Sequence, residues 1–259
     1  MELDFNSLYE EQYEKLFLVA YRLTGRKEDA EDVIQEAFIN AYKSYRNFRG
    51  ESLMSTWLYK IVVNCSLIYI KKQKKLPVVD VSSNLNMNQN EFFEMIKSYE
   101  PVEDAVLTND MRETCLQLFL KCIPKKQKIA FVLKVLLDLS TQAVASIMDI
   151  SVGAVKTNVY RARLSMKENM EDKCSYINPE NPCNCKNWVA YAIKNNRMEK
   201  VHKIKLQKTV NYEEIYHTEM DFLSKVVMLY NNSPESQPYE EFIQHIKDMI
   251  SSNSLNLLS

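Results

Sequence analysis

The chain has 259 residues, of which 46% are hydrophobic and 26% charged, and its net charge is −1. This length suggests about two domains, and the charge does not favour a general polyanion binder. Only 3 glycines are present, which disfavours β-sandwiches, TIM barrels and doubly wound folds, because those need many turns and Gly-rich loops. No apolar run is long enough to span a membrane, and the acidic, periodic N-terminus does not resemble a signal peptide. We therefore expect an all-α, cytoplasmic protein whose cysteines are reduced.

The N-terminal part of the chain has the apolar periodicity of three helices. Apolar residues recur every three or four positions over 5–23, and Gly25 ends this first helix. A second helix is predicted over 28–45. The third begins at Ser52 or Ser55 and continues to about residue 72.

Composition changes after Pro77, where the polar stretch SSNLNMNQN interrupts the helical pattern. We interpret 77–102 as a flexible linker between two small helical domains, with room for one short helix over 91–98. Helical periodicity then resumes in four segments: 103–121, 125–137, 140–148 and 151–169. The predicted division is therefore a first domain over 1–76, the linker, a second domain over 103–170, and a helical C-terminal extension over 171–259.

The last two of these helices, with the tight turn between them, have the spacing of a helix-turn-helix. Ser140 and Ser151 are suited to cap the two helices. Val155 and Val159 share the buried face of the second helix. The candidate DNA-binding residues around that face are Ser151, Lys156, Thr157, Asn158, Arg161 and Arg163. A core helix with a solvated basic face is the alternative.

Two basic stretches stand out from the neutral total. Five lysines and no acid lie between Lys60 and Lys75, and nine basic residues face three acids between Lys121 and Met170. Solvated helix faces explain such charge as well as DNA binding does, so the charge alone does not decide between them.

Two stretches of the chain resemble one known family. LSTQAVASIMDISVGAVKTNVYRARLSM, from Leu139 onwards, resembles region 4 of the extracytoplasmic-function (ECF) sigma factors. Asp149 stands where this family usually has a glycine in the turn, and it is tolerable there because Asp adopts a left-handed conformation more readily than most residues. DAEDVIQEAFINAYKSYRNFRGESLMSTWLYKIVVN, from Asp29 to Asn64, resembles region 2 of the same class. The resemblance covers about residues 5–170. It implies a transcription initiation factor, not an enzyme, that binds bacterial RNA polymerase core and recognises the −10 and −35 elements of promoter DNA.

The resemblance also assigns roles within residues 29–72. The positions that match the polymerase-binding face are Asp29, Asp32, Gln35 and Glu36, whose acid and amide groups suit arginines on a partner. The positions that match −10 recognition are Phe48, Arg49, Glu51, Ser52, Lys60, Asn64, Lys71 and Lys72. They combine groups for holding unstacked bases with cations for phosphates. Trp57 and Ile68 lie on the predicted apolar stripe of the third helix and are expected in the core.

The C-terminal extension contains the cysteine cluster CSYINPENPCNCKNW. Cys174, Cys183 and Cys185 offer three thiolates for zinc, and His202 or His217 is the candidate fourth ligand. A redox-responsive dithiol and structurally inert cysteines are the alternatives.

The rest of the extension reads as two or three further helices over 187–251. A helical cap packed on the second domain is one interpretation, and an in-built regulator is the other. Cys65, Cys115 and Cys122 lie on apolar helix faces and are assigned to the core.

Three functions are compatible with these features. The first is the initiation factor, which requires no cofactor and has an anti-sigma protein as a further candidate partner. The second is a stand-alone helix-turn-helix regulator, which would bind DNA without polymerase, usually as a dimer on a palindrome. The third is a metal or thiol sensor that uses the C-terminal cysteines. The sequence lacks paired carboxylates, a nucleophile–histidine pair and a phosphate-binding Gly loop, which argues against catalysis.

Overall fold

The structure is a computed structural model and describes residues 5–45, 48–70, 77–201, 203, 205–206, 220–236 and 244. Within these residues all regular structure is helical, and extended pairing is limited to two isolated bridges. The all-α expectation is confirmed. Among the described residues, no helix has the length and apolar character needed to cross a membrane.

The N-terminal part forms three mutually packed helices: α1 (Phe5–Thr24), α2 (Lys27–Ser44) and α3 (Met54–Tyr69). Gly25 ends α1 as predicted, with a φ of +84°, and its N–H donates to the Tyr21 carbonyl at 2.8 Å. Their core is mainly apolar, and its members include Leu16, Phe17, Val33, Phe38, Leu58 and Val62. Each helix begins and ends within a few residues of its predicted bounds, because the apolar period and the glycine are local signals.

The buried face of α3 includes Leu58, Val62 and Cys65, as the predicted stripe does, but it leaves out Trp57 and Ile68 of that stripe. It is centred near Val62 and Val63. Trp57 and Ile68 lie five or six positions from that centre, about one and a half turns away, which places them on the opposite side of the helix. Ile68 is accordingly 74% exposed and Trp57 is half-buried, so the prediction that both lie in the core was wrong.

The segment predicted as a linker carries two helices, α4 (Pro77–Asn84) and α5 (Gln89–Lys97). Asn88 and Glu91 form a reciprocal capping box at the start of α5, with both hydrogen bonds at 3.0 Å. Phe92 and Ile96 are fully buried in a cluster that also contains Tyr191 and borders Trp188. The predicted short helix is present, and apolar packing holds it against the C-terminal extension.

Four helices follow, as predicted: α6 (Ala105–Cys122), α7 (Lys125–Phe131), α8 (Thr141–Met148) and α9 (Val152–Met170). Asp104 caps α6 by accepting from the backbone N–H groups of Val106 and Leu107. The predicted 125–137 helix changes type along its length: α7 ends at Phe131, and the chain continues as a π-helical turn over Val132–Leu136.

The C-terminal extension has two described helices, α10 (Cys185–Lys194) and α11 (Phe222–Tyr230), and a 3₁₀ turn over Met198–Lys200. Helix α10 packs against α5 and α6. The Tyr230 hydroxyl donates to the Leu116 carbonyl of α6 at 2.9 Å, and its ring meets Phe131 edge-on. These contacts support the interpretation of the extension as a packed helical cap; most of the remaining residues up to 251 lie outside the described part.

The chain forms two compact units that do not follow its order. Of the described residues, one unit contains 5–45, 48–70, 132–155, 236 and 244, and the other contains 77–131, 156–201, 203, 205–206 and 220–235. In the first unit, α8 packs against α3. The division of the sequence into four successive segments remains a prediction.

Tyr230→Ala tests whether the extension belongs to the fold. We expect the free energy of unfolding to fall by about 3–5 kcal/mol, because the change opens a cavity in the buried core and removes the hydrogen bond to the Leu116 carbonyl. Met228→Ala on the same helix is the control, since Met228 is 37% exposed. Urea denaturation measures both; equal, small effects would contradict the packing described here.

Candidate nucleic-acid interface

Helix α8 and the turn after it have the expected local geometry. The Ser140 hydroxyl accepts from the Ala143 N–H at 3.1 Å and caps α8. Asp149 follows α8 with φ +53° and ψ +50°, the left-handed conformation predicted for it. The Ile150 N–H then donates to the Ala145 carbonyl at 3.1 Å, which closes the turn.

Helix α9 separates a buried stripe from an exposed basic face. The Ser151 hydroxyl accepts from the Ala154 N–H at 3.1 Å and opens the helix, as predicted. The buried residues recur every three or four positions and are Val155, Val159, Ala162, Met166 and Met170. The predicted DNA-binding residues lie around this stripe: Ser151, Lys156, Thr157, Arg161 and Arg163 are exposed, and Asn158 is partly exposed.

Tyr160 is an exposed aromatic residue on α9 that the sequence analysis did not select. It is 66% exposed and lies four residues after Lys156 and three before Arg163, so the three side chains share one side of the helix. An aromatic side chain between two cations, on the polar side of the period, is the signal that would have identified it.

The basic stretch over 121–170 is smaller at the surface than its charge count suggests. Lys128 is only 1% exposed, and burial, followed by the charges of Lys121 and Lys125, lowers its pKa to about 8. Lys134 pairs with Asp138 at 2.8 Å. Helix α9 therefore carries most of the exposed positive charge that has no acidic partner nearby in sequence.

The loop between α2 and α3 presents both aromatic and charged groups. The rings of Phe48 and Trp57 lie 5.3 Å apart at a tilt of 47°. Arg49 and Glu51 are highly exposed and form a loose ion pair at 4.0 Å. Gly50 has a φ of +70°, and no atom lies within 4 Å of the position that a Cβ would take.

Helix α3 continues this surface. Lys60 and Asn64 follow Trp57 at intervals of three and four residues, so all three share a side of the helix. Asn64 is exposed, Lys60 is partly exposed, and Ser52 in the preceding loop is also partly exposed. Leu53, which the sequence analysis passed over, is 76% exposed beside them. Lys71 and Lys72 lie outside the described residues.

An acidic face lies on α2. Asp32 and Glu36 are exposed, whereas Asp29 and Gln35 are partly exposed. Desolvation first, and then the charges of Asp32, Glu36 and Asp29, raise the pKa of Tyr69 at the end of α3. The three carboxylates therefore act together on one location, as the spacing i, i+3, i+7 requires.

The C-terminal cysteines lie close together. The backbones of Cys174 and Cys183 pair in an isolated parallel β-bridge, and Cys185 begins α10. Cys115 of α6, which the sequence analysis assigned to the core, lines the same cavity as these three. Within the described residues, no group of three or more His, Cys, Asp or Glu side chains could hold a metal ion in the positions that the side chains take in this structure. His202 and His217 lie outside the described part.

Comparison with known proteins gives two family matches. Residues 8–76 match the family model of Sigma-70 region 2, and residues 113–166 match that of Sigma-70, region 4. Both matches end before Cys174.

Individual relatives agree with these families. The ECF RNA polymerase sigma factor SigW of Bacillus subtilis is 32% identical over 159 residues, which cover 61% of this chain and 84% of the relative. The ECF RNA polymerase sigma-E factor of Escherichia coli is 36% identical over 138 residues, which cover 52% of this chain and 70% of the relative. The solved complex of CnrH with the cytosolic domain of CnrY aligns with a TM-score of 0.46 and 17% identity, over 64% of this chain and 86% of that one.

A pair of glycine substitutions tests the backbone of the interface. Gly50→Ala should destabilise the protein by about 1–2 kcal/mol, because an L-residue is strained at positive φ even though space is available. Gly153→Ala should instead stabilise it by roughly 0.5 kcal/mol, because it removes a glycine from α9 and the new Cβ would meet only the Ser151 hydroxyl oxygen, at 3.9 Å. Thermal and urea unfolding measure both; effects of the same sign would contradict the described loop conformation.

Proposed function

We propose the following division of roles for this chain, which belongs to the extracytoplasmic-function class of the sigma-70 family. Members of this class are promoter-specific transcription initiation factors. In this proposal, residues 1–76 bind the polymerase core and the −10 element, and residues 103–170 bind the −35 element. The observation that carries the proposal is the capped helix α9, whose buried stripe leaves Lys156, Arg161 and Arg163 exposed around it.

Recognition of the −35 element is assigned to α9. The N-terminal half of such a helix enters the major groove, where Lys156, Thr157 and Asn158 are within reach of base edges. Arg161 and Arg163 lie further along the helix and suit phosphates, which position the protein without reading sequence. Tyr160 adds a hydroxyl that can donate to a phosphate oxygen on the same side.

Recognition of the −10 element is assigned to the loop before α3 and to the exposed side of that helix. Holding a flipped base costs a few kcal/mol of lost stacking, so a capture site must return that energy through stacking or hydrogen bonds. The Phe48–Trp57 pair supplies aromatic surface, Glu51 and Ser52 supply hydrogen-bonding groups, and Arg49, Lys60 and Asn64 lie next to them. Lys71 and Lys72 would extend the phosphate contacts.

The polymerase core is assigned to the acidic face of α2. Asp29, Asp32, Gln35 and Glu36 present acceptors at helical spacing, which suits arginine side chains on a partner because carboxylates accept two parallel N–H bonds from a guanidinium. The polymerase carries out the chemistry of RNA synthesis, so this chain needs no catalytic residues of its own. In this proposal the protein acts in the cytoplasm, where polymerase and chromosome are found. An anti-sigma protein is its proposed inhibitor.

A stand-alone helix-turn-helix regulator is the competing function. It would use α8 and α9 in the same way, but it would leave the acidic face of α2 and the aromatic pair at Phe48 without a role. The two functions differ in whether DNA binding requires polymerase.

The triple variant Lys156→Ala, Arg161→Ala, Arg163→Ala tests the −35 assignment. We expect promoter-dependent run-off transcription with core polymerase to be lost, and the logarithmic salt dependence of DNA binding to fall by about 1 for each phosphate contact removed. Lys97→Ala is the matched control, because Lys97 is an exposed cation on α5. Full activity of the triple variant would contradict the assignment. Tight duplex binding by wild type without polymerase, with a palindromic footprint, would favour the stand-alone regulator.

The double variant Asp32→Lys, Glu36→Lys tests the polymerase assignment. Charge reversal should weaken core binding by about 10-fold or more, most strongly at low salt, while the melting temperature changes little because both residues are exposed. Glu94→Lys, at an exposed site on α5, is the control. Sedimentation or fluorescence titration with purified core measures the affinity. Unchanged binding at low salt would assign the core contact to another surface.

A further inference from the structure

Four thiols line one apolar cavity of about 110 Å³ in the unit that contains residues 77–131 and 156–235. They come from three places in the chain: Cys115 from the middle of α6, Cys174 from the loop after α9, and Cys183 and Cys185 from the start of α10. Apolar side chains such as Phe93, Leu116 and Met170 form much of the remaining wall. None of the four is in a disulfide.

The loop between α9 and α10 is built around its cysteines. The Cys183 N–H donates to the Lys173 carbonyl at 2.8 Å, and the Ser175 N–H donates to the Cys183 carbonyl at 3.0 Å, so Cys174 and Cys183 are neighbours. The Asn181 amide then donates to the carbonyls of Glu171 and Cys174, at 2.7 and 3.0 Å. These bonds hold a short segment, poor in apolar residues, in one conformation.

A hydrogen-bond donor lies against one of the sulfur atoms. The Trp188 indole N–H donates to the Cys183 sulfur at 3.2 Å, and the Ile177 N–H donates to the Cys174 carbonyl at 3.0 Å beside it. N–H···S bonds of this kind are the outer-shell contacts that orient and tune thiolate ligands of metals.

A buried positive charge lies beside the thiols. Arg112 is 2% exposed, and its guanidinium lies 5.6 Å from the centre of the Tyr176 ring. Arg112 also lines the cavity. A buried guanidinium beside the thiols offsets part of the negative charge that four thiolates carry when they bind a divalent cation.

We propose that Cys115, Cys174, Cys183 and Cys185 together bind one zinc ion in tetrahedral four-sulfur coordination. Zinc prefers this ligand set in closed structural sites, with Zn–S distances of about 2.3 Å. The thiols are not preassembled, so binding turns them from the cavity wall towards a common centre. Four thiolates and Zn²⁺ carry a net charge of −2, which Arg112 partly offsets. Cys115 thereby takes the place of the histidine ligand predicted from sequence, and the ion joins α6 to α10. This site does not depend on the function proposed above.

The test measures metal in the full-length protein purified under reducing conditions without chelator. We expect about one zinc per chain by elemental analysis, and a first shell of four sulfurs at about 2.3 Å in X-ray absorption at the zinc edge. Cys115→Ser and Cys183→Ser should each lower the zinc content or its retention against a chelator. Cys65→Ser, a buried thiol that does not line the cavity, and Cys122→Ser, two turns along α6 from Cys115, should leave both unchanged.

The absorption measurement uses wild-type protein and therefore holds even where a cysteine variant fails to fold. Nitrogen or oxygen ligands in the shell, or loss of zinc in Cys122→Ser, would overturn the four-cysteine ligand set. Detection of iron together with acid-labile sulfide in the purified protein would show an iron–sulfur cluster at this site and would overturn the zinc assignment. Protein that purifies without metal, takes up no added Zn²⁺ and contains a Cys174–Cys183 disulfide would overturn the metal site in favour of a thiol pair.

Discussion

The buried stripe of α9 is the constraint on which both the proposed DNA-binding side of the helix and the C-terminal extension depend. Its five members, from Val155 to Met170, are each less than a tenth exposed, and burying a large apolar side chain contributes about 1.5–3 kcal/mol. A rotation of the helix by one residue would exchange this stripe for Lys156 and Arg163, at the cost of buried charge. The stripe therefore fixes which side of the helix faces solvent. Its last member, Met170, also lines the cysteine cavity and so connects the end of α9 to the packing of the C-terminal extension.

Features that depend on neighbours in the chain were predictable from the sequence. The caps at Ser140 and Ser151, the left-handed Asp149 and the glycine that ends α1 each act over three or four residues, so their residue types and spacing suffice. The exposed basic side of α9 follows from the same reasoning, because Val155 and Val159 define the opposite side. Even the helix in the supposed linker had a local signal in Asn88 and Glu91.

Features that depend on contacts distant in sequence were not predictable in this way. Trp57 and Ile68 are apolar residues on the solvent side of α3, and only the direction from which α1 and α2 approach decides that. Cys115 lies near residue 183 in space but 68 positions away in the chain, so no spacing rule connects them. Lys128 is likewise buried by packing, although its lysine-rich sequence context predicts an exposed side chain.

Helices α5 and α10 depend on one another. With 9 and 10 residues respectively, each is shorter than the length at which isolated helices become stable in water, so packing has to supply what local propensity does not. Phe92 meets Trp188 and Tyr191 with ring centroids 5.4 and 6.2 Å apart, and the Asn187 amide donates to the Tyr99 carbonyl at 2.7 Å. The segment between the two sigma regions is in this way part of the C-terminal cap.

The loop over 171–184 buries too few apolar side chains to be ordered by apolar packing alone, and the proposed metal ion would supply the missing free energy. Among its residues only Ser175, Tyr176 and Ile177 are buried, so apolar burial supplies little of the free energy needed to order fourteen residues, each of which loses about 1–2 kcal/mol of backbone entropy. Backbone hydrogen bonds contribute modestly in net terms. A zinc ion held by thiolates at both ends of this loop and by α6 would act as a cross-link whose binding free energy is available only in the folded state. The short polar loop, the indole hydrogen bond to the Cys183 sulfur and the buried Arg112 would then have a common physical cause.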